Sequence, residues 1–345
     1  FIVIAFAASV IDMSLLLAPS TPSTLAIRIF QIFQTSEVNS IFIASNLALI
    51  QFCIIIALIL LWIFLEKIIK QNFFYIFLIK ILIRKKSLFV DSLFIIAMVL
   101  FLLSMMGVAS SFLWSISENW HFPNFFPSSF SLNNILIFLY QHQSTVLTSV
   151  CISILVSFLS IILILMWVEL TETINFKIFY FEWVLFIPLF IPQISFLIGL
   201  QSFLVTLNFQ SFLLPLIAVE LLYVLPYCFI ILAPALREIK KEFIKVGSSL
   251  GKNRFERLVF IKIPLVSSSL LTSFGIGMIV SLSLYAPVYF IGAGRINTLT
   301  VEAVNLALSG SRQDLGLATV FQVIIPILIL LIIAYLNKKL TKWRF

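Results

Sequence analysis

Charge is scarce in this sequence. Asp, Glu, Lys and Arg make up 10% of its 345 residues, against roughly 25% in a soluble domain. That scarcity, with 62% hydrophobic residues and a mean hydropathy of +1.18, excludes a soluble globular protein and leaves an all-α polytopic membrane protein. Cysteine is nearly absent. Cys53, Cys151 and Cys228 all lie inside apolar runs, so they read as small buried hydrophobes, not as a disulfide framework or a zinc site. Histidine is rarer still: His121 and His142 have no His or Cys at ligand spacing, which argues against a metal site and a His-based triad. The sequence has no G-x-x-x-x-G-K-[ST] loop and hence no ATP site of its own. Neither an enzyme nor a resident cofactor is expected. Residues 1–17 lack an initiator Met, a basic leader and a small-residue cleavage site. They read as a span cut at its start and not as a signal peptide.

What charge there is has a pattern. The net charge of +8 would suggest nucleic acid in a soluble protein, but 19 of the 22 Lys and Arg fall in four segments that alternate with apolar runs. Topology accounts for them, and no nucleic-acid partner is implied. Apolar runs at 1–17, 41–65, 92–116, 144–168, 183–203, 211–234, 265–291 and 316–336 give about eight spans in a lipid bilayer, with both ends of the chain cytoplasmic. Only Arg28, Arg295 and Arg312 then lie outside. The apolar patch at 73–83 is too short and too basic at its flanks to cross with ease, so 67–90 reads as a cytoplasmic linker carrying an interfacial helix. Pro188 and Pro192 fall inside one span, where they read as a kink.

The strongest concentration of charge, at 235–266, holds eight basic residues against Glu238, Glu242 and Glu256. Apolar positions Phe243, Ile244, Val246 and Leu250 recur at near-helical spacing before Gly251, and Phe255, Leu258, Val259 and Ile261 recur after it, up to Pro264. This pattern predicts two short amphipathic helices hinged at a glycine on the cytoplasmic side, suited to a groove on a soluble partner.

The spacing Gly251, nine residues, Ile261, one residue, Ile263-Pro264 resembles the EAA loop of permease subunits in binding-protein-dependent ABC importers. Lys245 stands where that pattern has Glu, Val246 and Gly247 stand where it has two Ala, and Ile263 replaces its Leu. The resemblance places the coupling helix at 242–250 within a loop at 235–264. It marks Glu242, Phe243, Lys245, Gly247, Leu250, Gly251, Phe255, Ile261 and Pro264 as ATPase-coupling residues.

Residues 1–67 also share a layout with 275–341. An offset of 274 aligns Thr24-Leu25 with Thr298-Leu299, Ala44 with Ala318, Ile50 with Ile324 and Ile55 with Ile329. Residues 1–66 are therefore expected to be the last two spans of a first permease module whose own charged loop lies upstream of Phe1. Residues 91–340 form a complete six-span module, and 341–345 form a tail. With the block at 282–316, GAGR-INTLT-EAV at its centre, this layout is similar to the YnjC-type fused double permeases, relatives of the thiamine and ferric-iron importer permeases. The resemblance implies a type I importer transmembrane domain, here a fragment of a twelve-span tandem repeat in the bacterial inner membrane. Its implied partners are two ABC ATPase subunits, which bind the ATP on the cytoplasmic face, and a periplasmic solute-binding protein.

Asp12 and Glu220 sit inside spans, where a lone charge costs about 2.5–3.5 kcal/mol; with Tyr285 they are the candidate pathway residues. The bland alternatives are a hydrogen bond to a neighbouring helix for the carboxyls and aromatic packing for Tyr285. Arg295 and Arg312 read as a contact for the binding protein or as solvated surface. A different function class, an ion-coupled secondary transporter, would use Asp12 and Glu220 as ion or proton sites. Uptake without a cognate ATPase would select it.

Overall fold

The computed structural model describes the chain apart from residues 1–6, 8–9, 18–20, 36–37, 72–76, 78–79, 81–87, 119, 121–123, 175–178, 208–210 and 343–345. Most of the first expected span, most of the expected linker helix and His121 lie outside the described residues. The described fold is nearly all helical: α1 (Asp12–Leu17), α2 (Leu25–Phe33), α3 (Val38–Gln71), α4 (Leu88–Ile116), α5 (Asn133–Gln141), α6 (Gln143–Ile174), α7 (Phe179–Phe190), α8 (Gln193–Thr206) and α9 (Leu213–Arg237) come first. They are followed by α10 (Lys241–Ser249), α11 (Arg254–Leu265, with a π-helical turn at Leu258–Lys262), α12 (Ser267–Ser283), α13 (Ala286–Gly292), α14 (Leu299–Ser309) and α15 (Arg312–Lys342). Ser117 and Phe130 make one isolated antiparallel bridge.

Five described helices are long and apolar enough to cross a membrane, or up to seven if each of two bent pairs is one span. The kink expected within 183–203 is a sharp break, and the continuous span expected at 265–291 is interrupted. The first bends by 99° between Phe190 and Gln193, at Pro192, whose ring lacks an N–H and clashes with the carbonyl four residues back. The second ends at Ser283 and resumes at Ala286: Pro287, in the first turn of α13, has no N–H for the Ser283 carbonyl four residues back, and its ring crowds that carbonyl.

The chain divides into two compact units. One comprises Phe1–Tyr140, Phe190–Phe196 and Leu306–Val320. In it α2 packs on α3 after an N-cap in which Thr24 Oγ1 accepts from the Ile27 N–H. Ser195 Oγ donates to the Ala48 carbonyl at 3.3 Å. Gly316 lets α15 approach α4: a Cβ there would lie 2.8 Å from the Ser115 backbone nitrogen.

The other unit comprises Gln141–Leu189, Leu197–Asn305 and Phe321–Phe345. Its core is a three-helix cluster of α6, α9 and α12. Lipid tails give apolar helices no reason to associate, so close packing rests on small and polar contacts. Ser149, Ser153, Ser157 and Ser160 form a buried stripe on α6. A Cβ on Gly277 of α12 would meet Cys228 Sγ at 2.8 Å and Ser157 Oγ at 2.9 Å. Ser273 Oγ donates to the Cys228 carbonyl at 3.2 Å.

The repeat visible in the sequence has a structural counterpart. Asp12, Leu25 and Val38, which open α1, α2 and α3, stand 274 residues before Ala286, Leu299 and Arg312, which open α13, α14 and α15. Burial keeps the same register: Ala26, Ile27, Ile29, Phe30 and Ala44 are buried, and so are Thr300, Val301, Ala303, Val304 and Ala318.

Candidate functional site

The charged loop leaves the end of α9 and returns into α12. Its first arm is α10, opened by Lys240 and containing Glu242 in its first turn. The helix stops at Leu250 because Gly251 takes a left-handed conformation, φ +75°. The Lys252 N–H bonds the Gly247 carbonyl at 3.1 Å and the Gly251 N–H bonds the Ser248 carbonyl at 3.0 Å. This pair of bonds is a Schellman stop, for which glycine is the natural residue. The second arm starts at once on a capping box: Asn253 Oδ1 accepts from the Glu256 N–H at 2.8 Å, and Glu256 Oε2 accepts from the Asn253 N–H at 3.0 Å.

The two arms are clasped together. Gly247 is buried, and a Cβ on it would meet the Ile261 side chain at 2.5 Å and Arg257 Cγ at 3.3 Å. The Arg257 guanidinium donates to Ser248 Oγ, and Lys252 Nζ lies 4.8 Å from the centre of the Phe260 ring. The other face of α10 is bare. Phe243, Val246 and Leu250, spaced i, i+3, i+7, are 49%, 59% and 72% exposed, among exposed Lys240, Lys241, Glu242 and Lys245. Phe255 and Phe260 on the second arm are also exposed. An apolar stripe bordered by cations on a short rigid helix is the shape that enters a groove.

The loop is tied to the helical core by ion pairs that sequence reading missed. Lys262, in the π turn and 3% exposed, donates to Glu169 on α6. Arg237 at the end of α9 pairs with Glu182 on α7 through both carboxylate oxygens. The signal for Lys262 was present: it is a lone cation between Ile261 and Ile263, ahead of Pro264. Glu169 stands 93 positions away, and no local pattern connects the two.

The candidate pathway residues have separate settings. Glu220 is 1% exposed and accepts a hydrogen bond from Ser281 Oγ, joining α9 to α12. Tyr285 is buried at the break between α12 and α13 and stacks on Tyr289 at 5.5 Å. Asp12 opens α1 and is half-buried. The GAGR-INTLT-EAV block folds as a left-handed turn at Ala293 and Gly294 followed by α14. It docks on the start of α6: Ser149 Oγ accepts from the Leu299 N–H at 2.7 Å, Thr148 Oγ1 donates to the Asn297 carbonyl at 2.8 Å, and His142 Nδ1 lies 3.5 Å from Glu302 Oε1.

The segment holding the three-helix core, the clasped loop and the docked block is also the segment that known proteins share. Residues 146–342 match the family described as binding-protein-dependent transport system inner membrane components. The chain belongs to this family. As a permease of an ABC transporter it is a multi-pass inner-membrane protein, in keeping with its apolar helices. A relative, the inner membrane ABC transporter permease protein YnjC of Escherichia coli (strain K12), is 27% identical over 219 residues. The match covers 62% of this permease and 42% of that relative, so the chain spans less than half the length of the curated relative it matches.

Proposed function

We propose that this permease moves a small solute from the periplasm to the cytoplasm by alternating access, driven by two separate ATPase subunits that bind the ATP. The observation that carries this reading is the clasped loop: a preformed amphipathic helix with Phe243, Val246 and Leu250 bare on one side and Gly247 locked against Ile261 on the other. A rigid handle transmits motion where a floppy loop would absorb it. Under this reading Glu242, Phe243, Lys245 and Leu250 meet the ATPase. Gly247, Gly251, Phe255, Ile261 and Pro264 set the angle between the arms, and Lys262 carries the displacement to α6 through Glu169. Because the bundle must repack between two states, ATP binding acts through its different contacts in each.

The distribution of Lys and Arg supports a cytoplasmic position for the loop and for both ends of the chain, with a solute-binding protein on the opposite face. The common offset of 274 residues and the matched burial support 91–340 as a complete module and 1–66 as the counterpart of its last two spans, joined by a linker at 67–90 and followed by a tail at 341–345. Glu220 and Tyr285 then serve the bundle as helix-joining groups beside the route of the solute. Asp12 belongs to the first module.

The test is co-purification of the full-length permease with its ATPase. Gly251→Pro removes the left-handed turn and the bond to Ser248, and the complex is expected to be lost. Gly251→Asn, which tolerates that conformation, keeps it. Retention of the complex by the proline variant contradicts the coupling role.

A further inference from the structure

At the end of α9 remote from the coupling loop, α8, α9 and the turn after α13 enclose a cleft of about 810 Å³. That volume lies in the range of small-ligand sites. Its wall is apolar and includes Leu204, Val205, Phe212 and Phe290. Gln201, Ser211 and Arg295 are its polar side chains. The Arg295 guanidinium lies flat on Phe212, 3.8 Å from the ring centre, and has no acidic partner among the described residues. Stacking fixes the plane of the cation while its N–H edge remains available to an anion. Gln201 contributes a buried side-chain oxygen that no described residue hydrogen-bonds, an acceptor waiting for a donor.

The cleft thus asks for three things in one molecule: an anion for Arg295, a hydrogen-bond donor for Gln201 and an apolar body for the wall. Its position narrows the choice. It lies where α9 begins, at the depth of lipid headgroups if α9 spans the bilayer, and Val205 on its rim is 69% exposed. At that boundary a polar group meets headgroups, while an apolar rim such as Val205 meets the upper part of the acyl chains. We propose that this cleft binds a glycerophospholipid, with the phosphate on Arg295, a headgroup hydroxyl or ammonium donating to Gln201, and an acyl chain against Leu204 and Phe290. The site is independent of whether the loop at the far end meets an ATPase.

The experiment is native mass spectrometry of the full-length permease, partly delipidated in mild detergent and titrated separately with phosphatidylglycerol, phosphatidylethanolamine and phosphatidylcholine. The wild type is expected to retain one more phosphatidylglycerol or phosphatidylethanolamine than Arg295→Gln, whose half-saturation rises about tenfold on losing a charge-assisted pair. Phosphatidylcholine, whose headgroup has no donor for Gln201, binds more weakly to the wild type, and Gln201→Leu abolishes that preference. Leu204→Trp fills the apolar wall without touching the cation and also loses the lipid, so the test survives a misfolded Arg295 variant. Equal retention by the wild type, Arg295→Gln and Leu204→Trp overturns the proposal. So does competition by soluble glycerol 3-phosphate at the concentration of the lipid, which makes the cleft a site for soluble anions.

Discussion

At Gly277 the absence of a side chain is what lets three helices meet. Valine there would thrust carbon atoms into Cys228 Sγ and Ser157 Oγ, neither at the end of a long flexible chain. Gly277→Val is expected to cost about 1–3 kcal/mol and to lower the melting temperature of the purified protein; an unchanged transition shows that α6, α9 and α12 do not pack this closely. Glu220 illustrates the opposite economy, a polar group retained where apolar ones are cheap. Its contact with Ser281 can be kept by an amide. Glu220→Gln should leave uptake within about twofold, since one neutral hydrogen bond is worth roughly 0.5–1.5 kcal/mol. Loss of uptake with the fold intact assigns the carboxylate to the solute or to a coupling ion instead. Lys262 is the more exacting residue. Lys262→Met leaves Glu169 without its cation at a site where Glu169 keeps 23% of its side-chain exposure. The cost should fall at or below the low end of the 3–5 kcal/mol typical of breaking a buried pair. Adding Glu169→Gln should recover most of that loss in thermal unfolding, and failure of the double variant to recover denies the pair its role.

Among the elements, the charged loop was the most legible in the sequence, and for a local reason. Its helix period, its glycine stop and its following helix start are all set by neighbours within four residues: the pattern predicts a helix ending at Gly251, and α10 lies within one residue of the 242–250 that the family resemblance implies. The long apolar helices were legible for the same reason: twenty consecutive apolar residues in lipid have only the helix to satisfy their backbones. What the sequence left open depends on distance. Pro188 and Pro192 announced a distortion, but a bend of 99° depends on what receives the second half of the helix. The break at Leu284 needed Pro287 to be read as a helix start, and not as a feature within a span. The partners of Glu220 and Lys262 come from other helices, and no periodicity reaches across 61 or 93 positions. In the GAGR-INTLT-EAV block the sequence signalled family, while the work of its polar residues, docking α14 onto α6, appears only in the fold.

Over the whole chain, the clasped loop and the three-helix core both fall in the segment 146–342 that matches the family of binding-protein-dependent transport system inner membrane components. The repeat belongs to this scale too: three helix starts and five buried positions recur 274 residues apart, although few side chains do. Layout outlasts identity because helix starts and buried registers tolerate any apolar residue of fitting size. Coupling requires the loop to lie on the cytoplasmic side of the membrane and to be covered there by the ATPase subunits. The measurement is labelling of a single cysteine at Val246, in full-length permease otherwise free of cysteine, by a membrane-impermeant maleimide in vesicles of each orientation. Labelling is expected only in inside-out vesicles and only until the ATPase subunits are added, when it falls several-fold. Labelling from the periplasmic side, or labelling that the ATPase leaves unchanged, contradicts the account.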